Sequence, residues 1–440
     1  MGTTKWSNWS GAVTANPSDI VQPASEAEVI ELVNKTAASA GRLKAVGASH
    51  SFTPVAQTDG TLVNLDKMSG MVKFDPEKMT VTLRAGTRLR DCPDLLRPLG
   101  VAFANQGDVD PQSIIGAIST GTHGTGVGFT GFAGMVRSFR IVTPDGVARY
   151  CHPDSEEELN RELFHLARIS LGAWGIITEV EMDVVPTFVL EAREAAEPLG
   201  PVVENFKERV HAADHLEYYW FPQTEVAHVK TNTRRPGDYP TKPIPRWKSI
   251  IDDDILSNSA FGVLNKLTGP FPGLTKTFAQ LSAKGLAQRE YSDVAHGVFV
   301  TPRRVKFNEM EYAVPLADAS EVLAEVHKAI NTMDESVLFP IEVRATSADD
   351  VPLSTAKGRE SCYIAIHRYH TQDQWAYFRR VEPIFKAAAG RPHWGKMHSL
   401  THEDLLERHE DLAAATDLRA KVDPQGVFRN AMVDRIFGLA

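Results

Sequence analysis

Between Asn105 and Gly131 the chain reads NQGDVDPQSIIGAISTGTHGTGVGFTG, with seven glycines at positions 107, 116, 121, 124, 126, 128 and 131 in no regular period. Such a stretch resists becoming one long helix or strand, because each glycine adds backbone freedom that a regular element must freeze out. Interleaved with Ser113, Ser119, Thr120 and Thr122, it presents successive backbone N–H groups instead, the material of an anion-binding concavity suited to a pyrophosphate. Upstream, VGASHSFTP (Val46 to Pro54) supplies a second small-residue turn. There the apolar strand RLKAV runs into Gly47, Ala48 and Ser49, and His50 stands between Ser49 and Ser51. A histidine set among the smallest residues is held against whatever the turn binds.

Several other chemistries are excluded. Gly126, Gly128 and Gly131 form a G-x-G-x-x-G, but AISTGTHGT before it is a poor strand and FAGMVRSFRIV after it runs into another strand, so a dinucleotide fold is not expected. GASHS is not the G-x-S-x-G of a nucleophile elbow. No H-E-x-x-H or paired C-x-x-C occurs, and His367/His370 and His393/His398 have no adjoining acid, so no metal is expected. A net charge of −9 argues against nucleic acid and anionic membranes as partners. No apolar run has the length of a membrane span and the N-terminus has no apolar signal core, so a soluble cytoplasmic protein without membrane insertion is expected. Three scattered cysteines, Cys92, Cys151 and Cys362, suggest free thiols in a reducing compartment.

The patterning is α+β. Ser25 with Glu28 forms a capping box for a helix carrying Val29, Ile30, Leu32 and Val33, and Gly41 is a plausible stop. GMVKFD–PEK–TVTLRAG and FRIVTPDGVARY read as hairpins, the second turning at Asp-Gly. Ser155 with Glu158 predicts another capped helix, and GIITEVEMDVVP a strand. The style changes near Pro186, which we take as a domain boundary. Beyond it, RRPGDYPTKPIPRWKS predicts an exposed loop, and VKFNEMEYAVP, SVLFPIEVRAT and SCYIAIHRYH predict strands of a sheet. In IEVRAT, period two puts Glu342 and Arg344 on one face. That pair and Lys396 in RPHWGKMHS suit either a polar site or an ordinary salt bridge and a surface lysine.

Taken together, NWSG, VGASHSFTP, NQGDVDPQSIIGAISTGTHGTG, LGAWGIITEV, MEYAVP, EVR, RPHWGK and DPQGVFRN occur in an order that resembles the aldonolactone oxidoreductase and alditol oxidase branch of the vanillyl-alcohol-oxidase-like flavoproteins. The resemblance covers nearly the whole chain. It implies a two-domain fold: an FAD-binding domain of two α+β subdomains (1–186), a cap domain with an antiparallel sheet (187–415), and a C-terminal segment (416–440) returning to the FAD domain. It further implies FAD cradled by Gly47, Ala48, Ser49 and Ser51, joined covalently through His50, and completed by Gly107, Asp108, Ser113, Gly116, Ala117, Thr120, Gly121, His123 and Gly124, with Ile177 near the adenine. Glu342, Arg344 and Lys396 match the family's polar active-site set, and His367 is a further candidate substrate contact or base. The implied reaction is hydride transfer from a carbinol carbon to flavin. Alanine at 117, where alditol oxidases tend to carry serine, tilts the substrate toward a sugar 1,4-lactone of the L-gulono, L-galactono or D-arabinono type. Glycine at 107 favours molecular oxygen as acceptor, with hydrogen peroxide as product. The alternatives are an alditol oxidase acting on a polyol, and a dehydrogenase using a cytochrome or quinone.

Overall fold

The computed structural model describes residues 5–245, 264, 273, 275, 277–280, 288–301, 305–333 and 337–439. The first helix, α1 (Glu26–Ala38), starts as its capping residues dictate: Ser25 Oγ accepts the Glu28 N–H at 3.3 Å, and Val29 and Val33 are fully buried. The second predicted capping box does not form. Helix α2 (Glu158–Leu166) begins after Glu157, with no side-chain cap. Ser155 Oγ is already spent in a turn, accepting the His152 N–H at 3.1 Å and donating to the His152 carbonyl at 2.9 Å.

Two small sheets make the N-terminal layers. Strands β1 (Asp19–Val21), β2 (Leu43–Val46) and β3 (Thr61–Asn64) pair in parallel, in the order β1-β3-β2. Strands β4 (Met71–Asp75), β5 (Thr80–Arg84), β6 (Val136–Val142), β7 (Ala148–Cys151) and β8 (Ile176–Asp183) form an antiparallel sheet ordered β7-β6-β8-β5-β4, containing both predicted hairpins. Glu26 at the start of α1 ties that helix to the five-stranded sheet, accepting from Arg140 Nε at 2.9 Å and Thr178 Oγ1 at 2.7 Å.

The described residues beyond β8 include one antiparallel sheet of eight strands: β9 (Phe188–Pro198), β10 (His215–Trp220), β11 (Val226–Pro236), β12 (Arg289–Val294), β13 (Phe307–Pro315), β14 (Ile341–Thr346), β15 (Ser361–Tyr369) and β16 (Arg391–Pro392). Their spatial order is β12-β9-β11-β10-β14-β15-β13-β16. Strand β11 runs on through Arg234 and Arg235, which the sequence reading placed in a loop. Arg234 is held there between the rings of Phe129 and Phe188, at 3.9 and 4.0 Å. Residues 246–249 of that predicted loop lie outside the described residues.

The faces of this sheet differ completely. One carries Leu216, Tyr218, Trp220, Met310, Tyr312, Ile341, Val343, Ile364 and Ile366, all buried with the apolar stripes of α3 (Ala319–Asn331) and α4 (Trp375–Ala387). The opposite face carries Glu194, Glu217, Lys230, Glu309, Glu311, Glu342, Arg344 and His367, and these are buried too. Alternation of side chains along a strand produces this division wherever apolar and charged residues alternate. All three cysteines are free and buried. Among the described residues no helix is long and apolar enough to cross a membrane.

The end of the chain packs beside β2. Leu43 N–H donates to the Val427 carbonyl at 2.8 Å, and Asn430 Nδ2 donates to the carbonyls of Pro54, Val55 and Gln57, each at 3.0 Å. Asp423, just after helix α5 (Leu412–Val422), holds this return. Its carboxylate pairs with Arg419 at 2.8 Å and accepts the N–H groups of Val427 and Phe428, both at 2.8 Å, with every partner buried. Asp423→Ala leaves a buried guanidinium without its counter-ion, a change worth about 3–5 kcal/mol. The urea midpoint should drop accordingly, and an unchanged midpoint would show that Asp423 does not hold the C-terminal return.

Candidate active site

A furrow opens at the C-terminal end of β2. It is lined by Gly47, Ala48, Ser49, His50 and Ser51, by Ser113, Gly116 and Thr120, and by Leu171, Gly172 and Ile177. Ser49 adopts the left-handed conformation, with φ +58°. Within the described residues, the backbone N–H groups of Ala48, Ser49, His50 and Ser51 donate to no protein acceptor. Consecutive unpaired amides around a left-handed residue make an anion-binding nest. The backbone could not come so close with larger residues: a Cβ on Gly47 would lie 2.5 Å from Ser113 Oγ. The furrow therefore fits the diphosphate of a dinucleotide such as FAD.

The N-terminal NWSG sequence braces this turn. Asn8 Nδ2 donates to the Ser51 carbonyl at 3.0 Å, the Trp9 N–H to the Ser49 carbonyl at 2.7 Å, and Trp6 Nε1 to Ser49 Oγ at 3.0 Å. The indole of Trp9 stands 5.3 Å from the His50 ring. His50 Nδ1 donates to the Ala48 carbonyl at 3.1 Å, which leaves Nε2 with the lone pair of the neutral ring. Burial lowers the His50 pKa and so favours that neutral, nucleophilic form.

Gly107, Asp108, Ala117, Gly121, His123 and Gly124 of the glycine-rich stretch fall outside the furrow lining. Ala117 is fully buried on the short helix Ile114–Ser119. Gly107, Gly121 and Gly124 allow the stretch to fold on itself and its neighbours; a Cβ on Gly124 would lie 2.4 Å from Asn105 Oδ1, and one on Gly107 would lie 3.0 Å from the His123 carbonyl. Asp108 reaches the roof, 3.4 Å from Arg344. His123 does likewise: its ring stacks on Tyr363 at 3.6 Å, Nδ1 donates to the Gly124 carbonyl at 2.9 Å, and Nε2 faces Glu311 at 3.3 Å.

The charged face of the eight-stranded sheet is that roof. Arg344 Nε donates to Glu217 at 2.9 Å, while its Nη2 contacts Glu342, which also accepts from Tyr219 Oη at 2.6 Å. Burial opposes the guanidinium charge, yet Glu342, Asp108 and Glu217 together hold its pKa well above the ordinary value. Lys396 pairs with Glu309 and stands 5.1 Å from the Phe52 ring. Burial works against its charge as well, and Glu309 and Glu311 more than offset it, so the pKa is raised. His367 donates from Nδ1 to the Pro340 carbonyl at 2.8 Å and turns Nε2 toward Glu309 at 3.5 Å.

Hydrogen bonds to backbone carbonyls join furrow to roof. The Phe52 N–H donates to the Gly395 carbonyl at 2.7 Å and Thr53 Oγ1 to the Trp394 carbonyl at 3.1 Å, so the loop after His50 is sewn to the loop bearing Lys396. The Lys396 loop is in turn sewn to β13, with His393 N–H on the Glu311 carbonyl at 3.0 Å and Met397 N–H on the Glu309 carbonyl at 2.9 Å.

The sequence reading missed Glu217, Tyr219, Glu309 and Glu311. The signal was present, since HLEYYW and FNEMEYAVP space polar residues by two inside apolar strands, as IEVRAT does. It also missed that acids from other strands surround the histidines. Ligating atoms of His123, Glu311 and His393 lie within 4.8 Å of one another, a spacing a metal could use. However, His393 Nδ1 accepts the Gly395 N–H at 3.0 Å, so the proton of its neutral ring sits on Nε2 and opposes ligation there.

Two family models match successive parts of the chain. Residues 17–152 match the FAD binding domain model and residues 180–436 the D-arabinono-1,4-lactone oxidase model. The L-gulono-1,4-lactone dehydrogenase of Mycobacterium tuberculosis is 36% identical over 433 residues, covering 98% of this chain and 99% of that protein. The L-gulonolactone oxidase of Bos taurus is 30% identical over 442 residues, covering 98% of each. In structure, cholesterol oxidase from B. sterolicum superposes with a TM-score of 0.84 at 16% identity, covering 99% of this chain and 97% of that one, a likeness of fold alone. A family match across more than half the chain, backed by relatives aligned end to end, shows that the chain belongs to the D-arabinono-1,4-lactone oxidase family of FAD-dependent oxidoreductases.

Proposed function

We propose that this protein oxidises a sugar 1,4-lactone of the L-gulono, L-galactono or D-arabinono type at its C2 hydroxyl, and that reduced FAD is reoxidised by oxygen to give hydrogen peroxide. The observation that carries the reading is the polar cluster of buried Glu342, Arg344 and His367 with half-buried Lys396, joined to the furrow through the Phe52–Gly395 and Thr53–Trp394 hydrogen bonds. A neutral, hydroxyl-rich ring needs paired donors and acceptors there rather than an apolar pocket.

Bound FAD supplies the acceptor for a hydride from the carbinol carbon. The chain supplies positioning and proton handling. Arg344 presents a planar fork fixed by Glu217, Glu342 and Asp108, which suits two adjacent ring oxygens. Glu342, shared with Tyr219, accepts from a substrate hydroxyl. His367 Nε2 takes the hydroxyl proton, because Nδ1–H is committed to the Pro340 carbonyl. Lys396 stabilises negative charge that develops as the proton and hydride leave. The covalent bond, on this reading, forms at His50, whose ring is neutral and held in the furrow.

The acceptor is where the relatives divide, since the mycobacterial protein is named a dehydrogenase and the bovine one an oxidase. What favours oxygen on this reading is glycine at 107, where the chain has no room for a larger residue: a Cβ there would lie 3.0 Å from the His123 carbonyl.

Acid precipitation should leave the yellow colour in the pellet, and His50→Ala should move it to the supernatant; wild-type colour entirely in the supernatant would exclude the covalent bond. Arg344→Ala should keep bound flavin and lose about 10²–10³-fold in kcat for lactone-dependent peroxide formation. Near-normal turnover in that variant, or peroxide formation with alditols alone, would refute the assignment of the roof to a lactone.

A further inference from the structure

One carboxylate, Glu309, connects the two roof groups that carry protons. One of its oxygens contacts Lys396 Nζ, and the other lies 3.5 Å from His367 Nε2. Glu309 is only 4% exposed on β13, where its backbone carbonyl also receives the Met397 N–H. Register explains the bridge: Glu309 lies directly opposite His367 in the β13–β15 pairing, and the loop bearing Lys396 folds across the same position. We propose that Glu309 is a positioning residue for the reaction, holding Lys396 in place, keeping its ammonium charged throughout the working pH range and facing the imidazolium that forms when His367 Nε2 takes the substrate proton. This rests on the reading of Lys396 and His367 as groups that face substrate.

The surroundings of Lys396 show why a counter-charge is needed. Glu311 on β13 and Asp108 on the glycine-rich stretch add negative charge, at a greater remove than Glu309. His393 on its own loop and His50 from the furrow feel its positive charge, and the neighbouring face is the Phe52 ring. Glu342 and His367 lie beyond Glu309, with ligating atoms of all three within 4.8 Å of one another, and Glu342 is committed to Arg344. Burial drives a lysine toward its neutral form, and a contacting carboxylate reverses that drive. The two effects are visible together at Lys396, whose pKa ends above the ordinary value, and at Glu309, whose pKa ends below it despite burial.

The sign of the effect follows. With Glu309 ionised, Lys396 stays protonated as pH rises. An uncharged amide at 309 keeps the shape and one hydrogen bond but removes the counter-charge, so the lysine pKa falls and the ammonium is lost on the alkaline side. Glu309→Gln should therefore show an alkaline fall that the wild type lacks, with kcat about 10²-fold lower at about pH 9 than at about pH 6 and KM little changed across that range. Glu309→Asp, which keeps the charge, should retain the wild-type pH profile. A readout independent of turnover is the visible spectrum of the bound flavin without substrate, titrated with base: a step should appear in Glu309→Gln and be absent from wild type and Glu309→Asp.

A Glu309→Gln protein with wild-type pH profile and no spectral step overturns the proposal, as does an equal alkaline fall in the aspartate variant. Should the glutamine variant lose its flavin, Glu309→Asp decides alone: a wild-type alkaline limb supports the role, and an early fall contradicts it. A wild-type protein that no lactone reduces would remove the substrate reading, and the substrate-free titration would still test Glu309.

Discussion

The charged face of the eight-stranded sheet is the constraint on which the rest of the structure depends. Burying Glu217, Glu309, Glu311, Glu342, Arg344 and Lys230 in one layer is unfavourable unless each charge meets a partner with good geometry. The sheet meets that condition laterally. Lys230 stands 3.8 Å from Glu217, Glu217 accepts from Arg344, Arg344 contacts Glu342, and Glu309 contacts Lys396. Asp108 and His123 close the network from below, so the glycine-rich stretch completes the electrostatics of the roof as well as contributing to the furrow.

This explains why the chain fastens furrow to roof with hydrogen bonds to backbone carbonyls rather than with side chains alone. The Phe52–Gly395 and Thr53–Trp394 bonds fix the distance between the loop of His50 and the loop of Lys396. Asn8 and Trp9 fix the His50 turn from the N-terminal side, while Asn430 binds the loop after it from the C-terminal end. Sequence segments more than three hundred residues apart thus determine a single turn. Reactive groups held in this way need little reorganisation when substrate binds.

What the sequence made legible follows from how local each cause is. Helix α1, the two early hairpins and the small-residue turns are fixed by neighbours within a few residues, and they could be read directly. Glu342 and Arg344 could be placed on one face because the period of a strand is local too. Strand register is not local. That Glu309 sits opposite His367, or that Tyr219 sits opposite Glu342, depends on which strands pair, and no short stretch encodes it. The same limit accounts for Arg234, which is drawn into β11 by aromatic rings from two distant segments. Ser155 failed for a different reason, since its hydroxyl matched a capping pattern but was taken by an equally local turn with His152.

The most direct test of this account is an anaerobic titration of the purified protein with aldonolactones and alditols, followed through the visible flavin band. The account predicts that a sugar 1,4-lactone bleaches the band under anaerobic conditions, and that admitting air restores it rapidly. A flavin band that alditols bleach and lactones leave untouched would contradict the assignment of the charged roof to a lactone carbinol. A band bleached by lactone but restored only by a cytochrome or quinone would contradict oxygen as the acceptor.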